Sequence, residues 1–226
     1  MKALDQNTAS RKILADSQKV RFPYTIKTSG LKIIVREKVF SPKHFNGWEI
    51  FNKHFPSVLS ENVLEIGTGV GVTALYLAKQ GAKKVIAVDI NPHAVENTKE
   101  NVALNKIKNV DVRRSDIFSA ISKNERFDTI YWNTPFMYMP SGYKYRSILE
   151  RGLFDPGYKI TERFLREGKR FLATKGRILF GTGDFGDVPR LKKIAKKYRY
   201  KVRLIARKES TEINPVVFEL YELKSL

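Results

Sequence analysis

The chain has no cysteine among its 226 residues. That absence excludes disulfides, thiolate zinc sites and cysteine nucleophiles, and it fits a reducing compartment. No metal centre is expected. Also missing is any run of roughly 18 apolar residues that could cross a bilayer. Residues 1–20 alternate polar and apolar types instead of carrying the apolar stretch of a secretory signal. A soluble, cytoplasmic protein with no membrane partner is therefore expected. Acids are scarce: 23 Asp and Glu stand against 42 Lys and Arg, a net charge of +19. Such an excess points to a polyanionic partner, most simply RNA or a ribonucleoprotein, because Lys and Arg that neutralise phosphates drive sequence-independent binding. An incidentally basic soluble protein is the plain alternative. With 42% hydrophobic residues the chain supports one sizeable core, not two comfortable domains.

Repeats, low-complexity tracts and long linkers are absent too. What is present is an alternation of strand and helix. Residues 1–20 read as a helix or a loose arm. Residues 24–28 and 31–35 read as a hairpin turning at Ser29-Gly30, and 48–55 as a short helix ending before Pro56. Apolar strands follow at 63–66, 85–88, 110–114, 127–132 and 177–181. Helices are predicted over 72–79, 92–104, 160–173 and 188–198, with Gly81 set to end the first and Pro92 to open the second. Residues 137–160 are rich in Tyr, Gly, Lys and Arg and show no period. Strands at 201–206 and 216–223, joined by a loop of about nine residues, predict an antiparallel hairpin at one sheet edge. The predicted fold is α/β: a Rossmann-like, doubly wound, seven-stranded sheet with an antiparallel final hairpin and a short N-terminal β-hairpin extension. Residues 1–60 form the arm and extension in this reading, and 61–226 the main domain.

Three glycines, Gly67, Gly69 and Gly71, lie between a buried strand and a helix. A turn there needs residues without Cβ, because the chain reverses tightly and a ligand approaches its backbone. Dinucleotide-binding folds use a similar loop, so the loop alone is a weak signal. The spacing here is Gly-x-Gly-x-Gly and not Gly-x-Gly-x-x-Gly. Glu65, two residues before the first glycine, suits a ligand with a cationic amino-acid end. Asp89 closes the second strand, where a carboxylate accepts hydrogen bonds from two ribose hydroxyls. Asp116 sits at the third strand end, within reach of an adenine amine. Both aspartates also read as simple helix-capping loop carboxylates.

Val63-Leu64-Glu65-Ile66-Gly67-Thr68-Gly69-Val70-Gly71 and Val88-Asp89-Ile90-Asn91-Pro92 resemble the first two motifs of class I methyltransferases. Asn91-Pro92-His93-Ala94-Val95, followed by Asn97 and Asn101, resembles their "methyltransferase small domain" branch, which methylates exocyclic or amide nitrogens. The resemblance spans about residues 30–223. It implies S-adenosyl-L-methionine as cofactor, held by Phe40, Glu65, Gly67, Thr68, Gly69, Gly71, Asp89, Ile90, Asp116, Ile117 and Asn133. It also implies that Asn133, Pro135 and Phe136 carry the reaction. Asn133-Thr134-Pro135-Phe136 matches the (Asn/Asp)-Pro-Pro-(Phe/Tyr) signature of nitrogen methyltransferases at three of four positions, with Thr134 in place of the usual Pro. An amide or aromatic amino nitrogen is a poor nucleophile because its lone pair is delocalised. The Asn side-chain oxygen and a nearby backbone carbonyl accept its two N–H bonds, Phe136 stacks on the planar group, and positioning replaces a general base. As bare sequence, Asn-Thr-Pro is also ordinary turn punctuation.

Val39-Phe40-Ser41-Pro42 resembles the cofactor-covering element of the same relatives, which makes Phe40, Ser41 and Trp48 lid candidates; Trp48 reads equally as core. The stretch 150–158 resembles the Gly-Gly-x-Asp-Gly segment of the protein-glutamine N5-methyltransferases. The rRNA guanine-N2 and tRNA adenine-N6 methyltransferases share the Val-Phe-Ser element. Ten basic residues between Arg190 and Lys208, with Tyr198 and Tyr200 among them, favour RNA, although such a run is commonly a solvated face. Tyr138, Tyr143, Lys144, Tyr145, Arg146 and Arg151 either hold an extruded base or a flexible peptide, or belong to a disordered loop. RNA and protein glutamine stand as acceptors, ahead of a small molecule. A non-catalytic RNA-binding module that keeps the fold is the reading from another class.

Overall fold

The computed structural model describes residues 2–210 and 216–226, with side chains from residue 7 onward. Part of the predicted final loop, 211–215, lies outside the described residues. The N-terminal stretch is a helix, α1 (Lys2–Ser17), and the hairpin is β1 (Tyr24–Thr28) and β2 (Leu31–Val35), followed by α2 (Gly47–Lys53). The sheet elements are β3 (Asn62–Ile66), α3 (Val72–Lys79), β4 (Lys84–Asp89), α4 (Pro92–Leu104), β5 (Val110–Arg114) and β6 (Phe127–Asn133). Two short strands, β7 (Met137–Met139) and β8 (Phe154–Pro156), precede α5 (Lys159–Gly168), β9 (Leu172–Gly183), α6 (Val188–Lys197), β10 (Tyr200–Glu209) and β11 (Val217–Ser225).

Seven strands make one sheet in the order β10-β11-β9-β6-β3-β4-β5. β11 runs antiparallel to both neighbours; the other pairings are parallel. After β3 the chain winds outward through β4 and β5, then returns to place β6 on the other side of β3. That reversal opens a crevice at the carboxyl ends of β3 and β6, where open α/β sheets bind ligands.

Alternate residues of each strand point to opposite faces. Leu64, Ile66, Ile130, Trp132, Ile178 and Phe180 share one core with Phe164 and Leu165 of α5 and Leu191, Ile194 and Ala195 of α6. Val63, Val85 and Ala87 share another with Leu75 and Leu77 of α3 and with Leu31, Ile33 and Val35 of β2.

The hairpin is joined to this second layer by an asparagine ladder. Asn97, Asn101 and Asn105 stand four residues apart along one side of α4 and its cap. Asn105 accepts from Lys32 N–H (2.9 Å) and donates to its carbonyl (2.8 Å). Asn101 does the same to Ile34 (2.8 and 2.9 Å), and Asn97 accepts from Arg36 N–H (3.0 Å) while donating to Ile34 C=O (2.9 Å). The repeats match: four helical residues rise about 6 Å, and two strand residues advance about 6.6–6.8 Å. Three side-chain amides thus stand in for a neighbouring strand and satisfy the open edge of β2.

Two expectations need correction. The helix predicted over 160–173 ends at Gly168; a 3₁₀ turn covers Lys169–Phe171, and β9 begins at Leu172. The apolar period ran on because Phe171 stacks against Phe118 with ring centroids 4.7 Å apart, although it has left the helix. Residues 137–160 are ordered as well. β7 pairs parallel with β8, and a 3₁₀ turn at Ile148–Gly152 lies between them. Strands of three residues are too short to print a period.

Candidate active site

A cavity of about 610 Å³ opens over the strand reversal, a volume in the range of small-molecule sites. It is lined by the glycine loop, by the ends of β4, β5 and β6, and by parts of α1, α2 and the 137–160 segment.

Gly67, Gly69 and Gly71 all adopt left-handed φ values of 68°, 61° and 82°, a region that side chains with Cβ rarely enter. Their surroundings divide their roles. A Cβ on Gly69 would meet nothing within 4 Å, so its backbone is open to a ligand. A Cβ on Gly71 would lie 2.6 Å from Thr98 Cγ2, so this glycine serves packing against α4. Gly71 is the one predicted cofactor residue that does not line the cavity; the remaining ten do.

Asp89 joins the two halves of the cradle. One oxygen accepts from Gly69 N–H (2.9 Å) and the other from Asn91 N–H (2.8 Å). Each oxygen keeps a lone-pair direction for a further donor, such as a vicinal hydroxyl. Burial pushes its carboxyl above the usual range, opposed by the backbone N–H groups. Glu65 is buried, and among the described residues no cation pairs with it. It accepts from Thr68 Oγ1 (2.6 Å), and desolvation pushes its carboxyl up to about 8. A buried acid of this kind becomes a good partner for a ligand cation, which restores its charge. Asp116 stands half-exposed at the rim and is bonded by Arg163 of α5. Ile90 lines the wall beside it, as does the buried Ile117.

Across the cavity lies the tetrapeptide. Asn133 ends β6 exposed, and the buried Thr134 and Pro135 and the half-buried Phe136 follow it along the wall. Thr134 explains its own departure from the usual Pro. Its N–H and Oγ1 both donate to Gly181 C=O, at 3.0 and 2.9 Å, a double tie to β9 that proline could not form. Tyr158 latches the next turn, donating from its hydroxyl to Phe136 C=O (2.8 Å) while accepting from Asp187 N–H (2.7 Å). Phe40 lines the cavity and packs on Phe45 with centroids 4.1 Å apart. Trp48 is both wall and core: it is buried, and its Nε1 donates to Pro42 C=O (3.0 Å). Ser41 turns away from the cavity and is buried between Tyr24 (2.6 Å) and His44 Nδ1 (2.7 Å).

An open glycine backbone, a doubly capped aspartate and a buried acid facing an Asn-x-Pro-Phe turn form one cradle for a ligand with a hydroxylated ring and a cationic end. Residues 30–211 match the model of the methyltransferase small domain family. The chain belongs to that family. It is an S-adenosylmethionine-dependent N-methyltransferase, and the donors just described fit the cofactor.

Among its relatives is a Methanocaldococcus jannaschii protein provisionally named a protein N5-glutamine methyltransferase. The two are 33% identical over 186 residues, 79% of this methyltransferase and 91% of the relative. A methyltransferase from Pyrococcus furiosus superposes with a TM-score of 0.65 at 21% identity, over 98% of this chain and 99% of that one. The 16S rRNA N2 G1207 methyltransferase of T. thermophilus, solved with S-adenosylmethionine and guanosine, gives 0.64 at 17% identity, over 90% of this chain and 50% of its own. These two structural matches speak for the fold.

Sequence reasoning missed several residues at the site. Arg163, which orients Asp116, lies 47 positions away in the chain. Asn91 and Ser115 border the cradle, and Ala9, Ser10 and Ile13 of α1 form a wall. Only Asn91 belongs to a motif, Asn91-Pro92-His93-Ala94-Val95. Among the described residues, no group of three or more His, Asp or Glu gathers as a metal site, and no helix is long and apolar enough to cross a membrane.

Proposed function

We propose that the acceptor is the side-chain amide of a glutamine in a protein. The observation that carries this reading is the placement of Asn133-Thr134-Pro135-Phe136 along a largely apolar cavity wall, in a chain that aligns over 91% of a relative provisionally named for that reaction.

When bound, the cofactor supplies a sulfonium methyl as electrophile. Asp89 takes the ribose hydroxyls, Glu65 faces the ammonium, Asp116 and Ile117 border the adenine, and Phe40 covers the site. On the acceptor side, Asn133 Oδ1 accepts one amide N–H and a main-chain carbonyl of the tetrapeptide accepts the other. Phe136 C=O already accepts from Tyr158, which leaves the carbonyls of Asn133, Thr134 and Pro135. Accepting hydrogen bonds from both N–H groups lets the nitrogen rehybridise towards the methyl, and the one proton it sheds after transfer passes to water. Pro135 stiffens the turn and Phe136 presents a flat face to the planar amide.

A second reading keeps the chemistry and changes the acceptor to an RNA base, which the charge of +19 favours. Incubation with methyl-labelled cofactor and separate pools of total protein and total RNA separates the two. Label should enter protein, return as N5-methylglutamine on digestion, and vanish with Asn133→Ala. Label in RNA alone would replace the glutamine reading with the second. Label in neither pool would leave both without support.

A further inference from the structure

Helix α1 closes one side of the cavity, and its packing says which side. Leu14 is buried with Met137, Met139, Leu153 and Phe154, and Phe136, Phe40 and Phe45 pack against the same cluster. Val70 of the glycine loop belongs to a different cluster, on the other side of the crevice. α1 therefore abuts Phe136 of the tetrapeptide and Phe40 beside it.

Its attachment is built, not incidental. Glu150 is only 4% exposed, and both of its carboxylate oxygens are bonded. It accepts from Arg11 Nε (3.3 Å), Tyr143 OH (2.6 Å) and Arg146 N–H (2.8 Å), and Arg11 Nη2 also donates to Tyr143 OH (3.1 Å). The Arg11 guanidinium lies 4.9 Å from the centroid of the Phe154 ring. At the far end of α1, Gln18 accepts from Lys38 N–H (2.9 Å) and donates to Val39 C=O (3.3 Å). A buried carboxylate of this kind is tolerated only with its partners in place, so it fixes where the helix sits. The surface presented to the cavity is mainly apolar: Ala9 and Ile13, one helical turn apart, with the buried Ser10 beside Ala9, and Phe136 and Leu149 line the same cavity.

We propose that α1 is the acceptor-selecting wall of the site, with Ile13 and Ala9 touching the aliphatic stem of the acceptor side chain while its planar end lies on Phe136. This rests on the amide reading and adds a cause of selectivity. An uncharged side chain slides between two apolar surfaces, whereas a charged one of similar length would lose its hydration there.

The absence of native cysteine makes the test direct. Ile13→Cys carries a single thiol, which is modified with methyl and then benzyl methanethiosulfonate, the unmodified variant serving as its own baseline. Ala15→Cys, on the exposed face of the same helix, carries the same adducts as control. On whichever pool the unmodified chain labels, the methyl adduct at position 13 should lower kcat/KM about fivefold and the benzyl adduct at least fiftyfold. The Kd for S-adenosylmethionine, by calorimetry, should stay within twofold, and adducts at position 15 should change neither. A benzyl adduct at position 13 that transfers methyl at the unmodified rate would overturn the proposal. So would one that weakens cofactor binding by the same factor, since α1 would then belong to the cofactor wall. Label entering RNA and not protein would remove the amide reading, while the adduct comparison on RNA would still decide the role of α1.

Discussion

Glu65 and Thr134 are single residues whose meaning depends on surroundings the motif does not contain. Glu65 is buried with its carboxyl pushed up to about 8 from an ordinary 4.5. A raised carboxyl takes up a proton on folding, so its stabilising contribution is fully present below about pH 4.5 and is lost as the pH rises towards 8. Glu65→Gln should flatten the fall in Tm across that window. A ligand ammonium reverses the preference and expels the proton. Calorimetry at pH 7 in buffers of different ionisation enthalpy should therefore show proton release on cofactor binding, and Glu65→Gln should abolish it. Thr134→Pro restores the common signature but deletes both donors to Gly181. It should destabilise the fold by about 1–3 kcal/mol in urea titrations, with loss of turnover exceeding any loss of cofactor affinity. The Asn, Pro and Phe of the tetrapeptide were legible as a contiguous motif. The reason for the Thr was not, because its partner is supplied by β9, 47 residues away.

At the scale of elements, long periodic segments were readable and short ones were not. α3, α4 and the hairpin strands stand where apolar period and glycine or proline punctuation put them, each being decided by local sequence. β7 and β8 escaped notice because three-residue strands exist only through their pairing with each other. The asparagine ladder was visible as residues but silent as structure. A helix at four-residue spacing gives no hint that its amides serve as a strand edge. Asn101 is its centre and also donates to Val70 C=O (2.9 Å), tying the hairpin to the glycine loop. Asn101→Leu leaves the Ile34 N–H and the Val70 C=O without this partner. A loss of about 3 kcal/mol in denaturant unfolding is expected, together with weaker cofactor binding by calorimetry.

For the whole molecule, the basic run reads differently in space than along the chain. Acids from other elements relieve part of it: Lys197 pairs with Glu162 (2.6 Å), Arg203 with Glu222 (2.9 Å) and Arg207 with Glu219 (3.3 Å). Lys192, Lys193 and Lys196 stay exposed on one face of α6. If that face meets RNA, replacing these three with Glu should reduce the log–log salt slope of binding to a single-stranded RNA by about 2, at about 0.7 per lost contact, read by anisotropy between 50 and 200 mM salt. An unchanged slope would assign the excess charge to solvation. The sequence by itself determined the sheet, the glycine cradle with Glu65 and Asp89, and the tetrapeptide, because each rests on local period, φ preference or a contiguous motif. Tertiary structure alone decided the strand order that opens the crevice, the Arg163 partner of Asp116 and the α1 wall over Phe136. Those contacts join residues tens to more than a hundred positions apart, and what brings them together is the burial of several separate apolar faces in shared cores.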